Sequence, residues 1–345
     1  MTIPDPITPR EDGKSRQTGR IAIVAQLSIL TLVLGSLFSA FLIPETSEQT
    51  PAARDRGIES VVVSRPLPEP GTTEISDVAL TAEAAYVWDV TRERALYAKN
   101  ADTVLPLASI TKLMTALLAY ELVPDETPVS VRYEDILQEG QSGLAPGEQF
   151  TARDLADLAL IASSNDAAHS LAGAVGERLG DADPTAQFVA AMNLRAEELG
   201  LESLSFANPT GLDRSAREAG AYGSAREVSF LVEYILETYP NLLAATTEPS
   251  DRIYNAAGEY HTAANTNALI ADIPNLIGSK TGYTDLAGGN LTVAFDAGFD
   301  RPMVVTVLGS TRSERFSDVA NLVRASRHAV SEEIESRADR TESTN

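Results

Sequence analysis

The chain has 345 residues, 43% hydrophobic and 22% charged, and a formal net charge of −22. That is enough apolar material for one large domain or two small ones, and it is not the composition of a disordered chain. The acidic balance excludes a basic nucleic-acid footprint, so no nucleic-acid partner is expected and any anionic ligand must be held by local cations. The absence of cysteine removes thiol nucleophiles, disulfides and cysteine-ligated zinc.

Residues 1–20 carry Arg10, Lys14, Arg16 and Arg20, and no charged residue follows from Ile21 to Ile43. A run of that length can cross the hydrocarbon core as a helix of about 20 residues. The next basic residue is Arg54, so the positive-inside rule predicts a cytoplasmic N-terminus (1–20), a membrane anchor (21–43) and an exported remainder. The run exceeds a usual signal-peptide core and ends without a clean A-x-A site, which favours an uncleaved anchor. Residues 44–73, rich in Pro, Glu, Thr, Ser and Arg, read as a semi-extended linker. A domain is expected over 74–330, with a polar, disordered tail at 331–345.

Within that domain, 84–89 and 95–98 read as a β-hairpin turning at Thr91 to Arg94. A buried helix follows, with Pro106 near its start. Helical spacing recurs over 151–162, 166–179, 185–199 and 224–238. The pattern then switches to strands at 275–283, 290–295 and 303–309, closed by an amphipathic helix over 312–330. Two strands, a helical insertion, three strands and a last helix predict an α+β fold. It has an antiparallel five-stranded sheet covered by helices and an adjoining all-helical lobe.

The stretch from Leu107 to Ala119 places Ile110, Leu113, Met114, Leu117 and Leu118 on one helical face, with Ala116 and Ala119 leaving almost no polar side. Ser109 and Lys112, three residues apart, then stack at the start of a buried helix. An ordinary lysine, with a pKa of about 10.4, is almost never neutral at pH 7, so it serves as a base only when burial or a neighbouring cation lowers that value. Alone, such a pair more often means a helix cap and a snorkelling lysine. Ser163-Ser164-Asn165 lies between two helices and could likewise be a cap, and Lys280-Thr281-Gly282 lies on a strand, where the lysine could guard an edge. The three histidines, His169, His261 and His328, stand in no catalytic arrangement, and no cluster has metal-ligand spacing, so neither a Ser-His-Asp triad nor a metal or other cofactor is expected.

S-x-x-K, S-x-N and K-T-G in that order, on a helix start, an interhelical loop and a strand, form a far rarer combination than any one of them. The chain resembles the serine-type D-alanyl-D-alanine carboxypeptidases, low-molecular-weight penicillin-binding proteins of the β-lactamase/transpeptidase-like superfamily. Shared runs include Leu144 to Glu148, Leu160 to Ala168, Asn208 to Asp213, Asn265-Thr266-Asn267, Gly278 to Thr284, Leu308-Gly309-Ser310 and Arg315-Phe316; the likeness covers roughly 75–328. The resemblance implies that Ser109 attacks the bond between the terminal D-alanines of a peptidoglycan stem, with Lys112 as base and Ser163 as proton relay. It assigns Asn165, Lys280, Thr281 and Gly282 to substrate binding, and the backbone N–H groups of Ser109 and Tyr283 to the oxyanion hole. β-Lactams would acylate Ser109.

Ser164 stands where the family often has glycine, which would add strain if the loop needs a positive φ there, and Thr210 where many members have histidine. The family's second β-rich domain and C-terminal membrane helix have no counterpart in the chain, so attachment is expected through 21–43. No glutamate motif of the class A β-lactamase kind is visible, which disfavours efficient antibiotic hydrolysis. A D,D-endopeptidase acting on cross-links, or a sensor acylated without turnover, would use the same residues. The catalytic domain is expected on the outer face of the bacterial cytoplasmic membrane.

Overall fold

Strands apolar at nearly every position must be covered on both faces, and β1 (Ala84–Asp89) is buried at all six of its residues. In chain order it is followed by β2 (Arg94–Lys99), α1 (Lys112–Leu122), α2 (Ala152–Ile161), α3 (Asn165–Gly176), α4 (Pro184–Glu198) and α5 (Ala225–Thr238). Then come β3 (Ser250–Tyr254), β4 (Tyr260–Ala264), β5 (Leu276–Thr284), β6 (Gly288–Asp296), β7 (Pro302–Ser310) and α6 (Glu314–Glu342). This computed structural model describes residue 75 and residues 78–342, apart from 141, 142, 181 and 299. All of them lie in the second of two units, Val61–Asn345. The expected cytoplasmic segment, membrane anchor and linker fall outside the described residues. Among the described residues no helix is long and apolar enough to cross a membrane.

The main sheet has five strands in the order β5-β6-β7-β1-β2, every pair antiparallel. One face presents Ala84, Tyr86, Trp88, Val304 and Leu308 to α5 and the helical lobe. The other presents Val87, Leu291, Val293, Phe295 and Val305 to Val319, Leu322 and Val323 of α6. The first strand thus lies inside the sheet, β2 and β5 form its two edges, and β5 holds the position from which a strand can border a cleft. Behind that edge stands α1, buried at every residue from Lys112 to Ala119. Helix starts follow their caps: Thr151 and Asp154 form a capping box on α2, and Ser164 and Ser224 accept from the backbone at the starts of α3 and α5.

Three features differ from the sequence expectation. Pro106 does not open the α-helix: Leu105 and Pro106 pair with Gly223 and Tyr222, and a 3₁₀ turn, Ala108–Thr111, carries the chain into α1. The β3–β4 hairpin is additional; its outer positions are polar or aromatic and only Ile253 and Ala263 are buried, so little apolar alternation marks it. Finally, α6 continues past Val330 to Glu342, where a disordered tail was expected. Its last turns hold no Gly or Pro and are rich in Glu and Arg, good helix formers. Glu333 also anchors them, accepting from Arg94 Nη2 at 2.9 Å and Arg301 Nη1 at 3.0 Å.

Candidate active site

The 3₁₀ turn places Ser109 half-exposed while the next turn buries Lys112 completely. Lys112 Nζ lies 2.7 Å from Ser109 Oγ, 2.7 Å from Asn165 Oδ1 and 2.8 Å from the Thr210 carbonyl. Two of these partners can only accept. A neutral amine has two N–H groups for them and one lone pair left, directed at the serine hydroxyl. Burial, and secondarily the positive charge of Lys280, hold the Lys112 pKa well below the ordinary lysine value. The arrangement can therefore take a proton from Ser109.

The loop that brings Thr210 to Lys112 is tied by Asn208, whose Oδ1 accepts from the N–H groups of Thr210 (3.1 Å) and Gly211 (2.7 Å). Gly211, at φ +80°, packs so closely on the Ser109 turn that a Cβ there would stand 1.8 Å from the Ala108 carbonyl oxygen. Ala108 itself has φ +48°. Asn165, the first residue of α3, spans the site: Oδ1 accepts from Lys112, and Nδ2 donates to the Glu139 carbonyl at 2.6 Å.

Across the cleft, Lys280 on β5 is buried, so it is no edge guard; its Nζ lies 2.9 Å from Ser163 Oγ and 2.8 Å from the Thr281 carbonyl. Burial, then the charge of Arg315, lower its pKa to about 7. Thr281 Oγ1 is 2.6 Å from Thr266 Oγ1. Asn265 and Asn267 brace the same edge, Asn265 on the carbonyls of Thr246 and Glu248, Asn267 on Ser279 Oγ. A Cβ on Gly282 would lie 2.9 Å from the Leu107 carbonyl and 3.2 Å from Ser109 N. Tyr283 is exposed, with the Arg312 guanidinium 5.0 Å from its ring centroid. Among the described residues no group of three or more His, Asp or Glu could hold a metal ion.

The sequence profile of the D-alanyl-D-alanine carboxypeptidase family matches residues 71–312. The chain belongs to this family. It is 32% identical over 255 residues to a D-alanyl-D-alanine carboxypeptidase of Bacillus subtilis, a match covering 72% of this chain and 62% of that protein. It is 30% identical over 274 residues to a D-alanyl-D-alanine endopeptidase of Pseudomonas aeruginosa, covering 77% of this chain and 83% of that one. Among solved structures it resembles the ampicillin-bound form of penicillin-binding protein D2 from Listeria monocytogenes, with a TM-score of 0.60 and 29% identity over 73% of this chain and 99% of that one.

Against the family's pattern, two sequence expectations change. Ser164, in the place of the usual glycine, has φ −59° and caps α3, accepting from Ala167 N at 3.0 Å. The strained residue is its neighbour Ser163, at φ +58°. Gly282, expected to admit a substrate backbone, is required first by the protein's own Leu107–Ile110 backbone. The sequence also gave no role to the Thr210 and Glu139 carbonyls, because backbone atoms leave no residue signature. Arg315 was named only within a shared run. It is buried, and its Nη1 donates to the Gly282 carbonyl at 2.5 Å. Burial, and then Arg312, lower its pKa to about 10. A signal existed: Arg315 places a cation in the first turn of α6, the wrong end of a helix dipole unless something else requires it.

Proposed function

We propose that the chain is a serine D,D-carboxypeptidase that removes the terminal D-alanine from peptidoglycan pentapeptide stems. The observation that carries this reading is the bonding of Lys112: two carbonyl-type acceptors, and a third contact of 2.7 Å to Ser109 Oγ. Ser109 Oγ attacks the carbonyl carbon of the D-Ala-D-Ala bond as Lys112 takes the hydroxyl proton, and the C–N bond breaks as the proton passes to the leaving amine through Ser163. The Ser109 ester is then hydrolysed by water.

The backbone N–H groups of Ser109 and Tyr283 receive the oxyanion, a role supported by the close passage of Gly282 against Ser109 N. Lys280 supplies positive charge near the substrate's terminal carboxylate, and Thr281 donates to it. Asn165 holds the substrate amide while orienting Lys112. β-Lactams acylate the same serine. Gly282 keeps β5 close enough for both functions.

The decisive assay incubates the full chain with a pentapeptide ending in D-Ala-D-Ala and measures free D-alanine, with Ser109→Ala and a penicillin-treated sample as controls. Release abolished by both controls is expected; release that survives Ser109→Ala refutes the mechanism. Because a relative 30% identical is named an endopeptidase, a cross-linked stem dimer belongs in the same assay. Faster cleavage of the dimer than of the pentapeptide would make the cross-link the substrate.

The proposed layout is a cytoplasmic segment 1–20, an anchor 21–43, a linker 44–73 and a catalytic domain from about residue 74, held on the outer face of the bacterial membrane. It is supported by the uncharged run 21–43 and the basic residues before it. Sedimentation of the full chain with membranes, lost on deletion of 21–43, is the expected result.

A further inference from the structure

The β3–β4 hairpin has one buried face and one open one. Ile253 and Ala263 turn inward to the core. Outward stand the cross-strand pairs Tyr254 with Tyr260, Arg252 with Thr262, and Ser250 with Ala264, all exposed. Nothing among the described residues covers the two tyrosines at the tip, which are 52% and 50% exposed. Their ring centroids are 5.7 Å apart, and the Arg252 guanidinium lies 4.9 Å from the Tyr260 centroid.

The tip is held stiffly. Asn255 Nδ2 donates to Glu148 Oε1 at 2.9 Å, its Oδ1 accepts from Ala257 N and Glu259 N at 3.0 Å each, and Ala256 N donates to the Gln149 carbonyl at 2.8 Å. His261 Nε2 lies 2.7 Å from Glu148 Oε1. Exposed aromatic rings on a preorganised hairpin lose little freedom when a ligand stacks on them. At its other end the strip runs through Ala264 to Thr266, whose hydroxyl is 2.6 Å from Thr281 Oγ1 in the catalytic cleft.

We propose that this strip binds the glycan strand of peptidoglycan, so that the stem peptide hanging from that strand is delivered to the cleft at Thr281. The inference rests on the carboxypeptidase reading and names what that site's substrate is attached to. A pyranose ring has an apolar, partly positive C–H face that complements the negative face of an aromatic ring, and polar edges that suit Arg252, Thr262 and Ser250.

The test uses the full chain carrying Ser109→Ala and measures its affinity for glycan strands stripped of stem peptides, with and without Tyr254→Ser plus Tyr260→Ser. The double variant is expected to bind about tenfold more weakly, and Tyr254→Phe plus Tyr260→Phe to bind as the parent does. In chains that keep Ser109, the same serine substitutions should raise KM for glycan-borne stems by a similar factor while leaving the free pentapeptide and penicillin acylation unchanged. Unaltered glycan affinity in the double variant overturns the proposal. So does an equal loss on the free pentapeptide, or a change in sedimentation marking the face as a contact between copies. If the chain releases no D-alanine from any substrate, the activity reading fails, but the peptide-free glycan measurement still decides the strip.

Discussion

Replacing Gly211 by alanine tests how tightly the Thr210 loop and the Ser109 turn determine each other. The new Cβ would sit 1.8 Å from the Ala108 carbonyl oxygen and 2.6 Å from Thr111 Oγ1. Ordinary contact begins near 3.4 Å, so loop and turn must part by about 1.6 Å. Neither side yields easily: Asn208 ties the loop, and Thr111 Oγ1 donates to the same Ala108 carbonyl at 2.7 Å. An alanine at positive φ costs about 1 kcal/mol and overpacking a further 1–3, so the loss should reach about 2–4 kcal/mol. At about 2–4 °C per kcal/mol for a domain of this size, Tm should fall by about 4–16 °C. Displacing a reacting group by about 1 Å costs roughly a hundredfold in rate, and the Thr210 carbonyl would also leave Lys112. The assay is Tm together with the second-order rate of acylation by a fluorescent penicillin. Gly200→Ala is the control, since Gly200 has φ +72° but nothing within 4 Å of its Cβ position. A Gly211→Ala protein that acylates at the parent rate, or loses no more Tm than Gly200→Ala, would refute the reasoning.

Further consequences concern protons and packing. Lys280, with its pKa near 7, should impose an alkaline limb on kcat/KM as its charge is lost above that pH. In Lys280→Arg the guanidinium stays charged, so the limb should vanish between pH 7 and 9; identical limbs would count against the carboxylate role. Burial, opposed by Arg153, raises the Asp157 pKa to about 6. The folded state therefore holds a proton that the unfolded state releases near pH 4. Stability from this group is present below about pH 4 and lost as pH rises through 6, by up to about 3 kcal/mol. Asp157→Asn should gain on the parent over that window in urea melts, and a pH-independent difference would contradict this. Ending the chain after Val330 removes Glu333 from Arg94 and Arg301, and Tm should drop by about 4–12 °C. An unchanged Tm would mean that these last turns carry no stability.

The strands and helices that bury a periodic face were legible, because β5, β6, β7 and α1 owe their place to hydrophobic pattern. The ends of the three strands fall within two residues of expectation, whereas α1 begins at Lys112 rather than beside Pro106. The β3–β4 hairpin escaped because only Ile253 and Ala263 face the core, too few to set a period. Helix α6 was cut short because apolar periodicity fades near Val330, whereas what holds the next turns is ionic, through Glu333. At the site, motif order singled out the side chains that the fold brings together, and burial with a neighbouring cation was the expected cause of a lowered Lys112 pKa, yet the backbone groups that hold Lys112 could not be named. The Thr210 carbonyl reaches it through a loop about a hundred residues away, and the strain falls on Ala108 and Ser163 rather than Ser164.

That strain and the two buried lysines belong to one design. Ala108 (φ +48°), which precedes Ser109, and Ser163 (φ +58°), whose hydroxyl meets Lys280, are each in a backbone region that costs on the order of 1–3 kcal/mol. Each presents a half-exposed hydroxyl, Ser109 or Ser163, to an amine that water cannot reach. With both amines charged, the pocket would hold two cations in a poorly solvated space; burial, and then the charge of Lys280, instead push Lys112 toward its neutral form, while burial and the charge of Arg315 leave Lys280 near its midpoint at pH 7. An arriving carboxylate adds the missing negative charge and draws Lys280 to its protonated form. The closer that cation is to full charge, the less Lys112 can hold a proton of its own. In the proposed mechanism, substrate binding thus strengthens the condition under which Lys112 is free to deprotonate Ser109, and the proton it then takes is needed by the leaving amine.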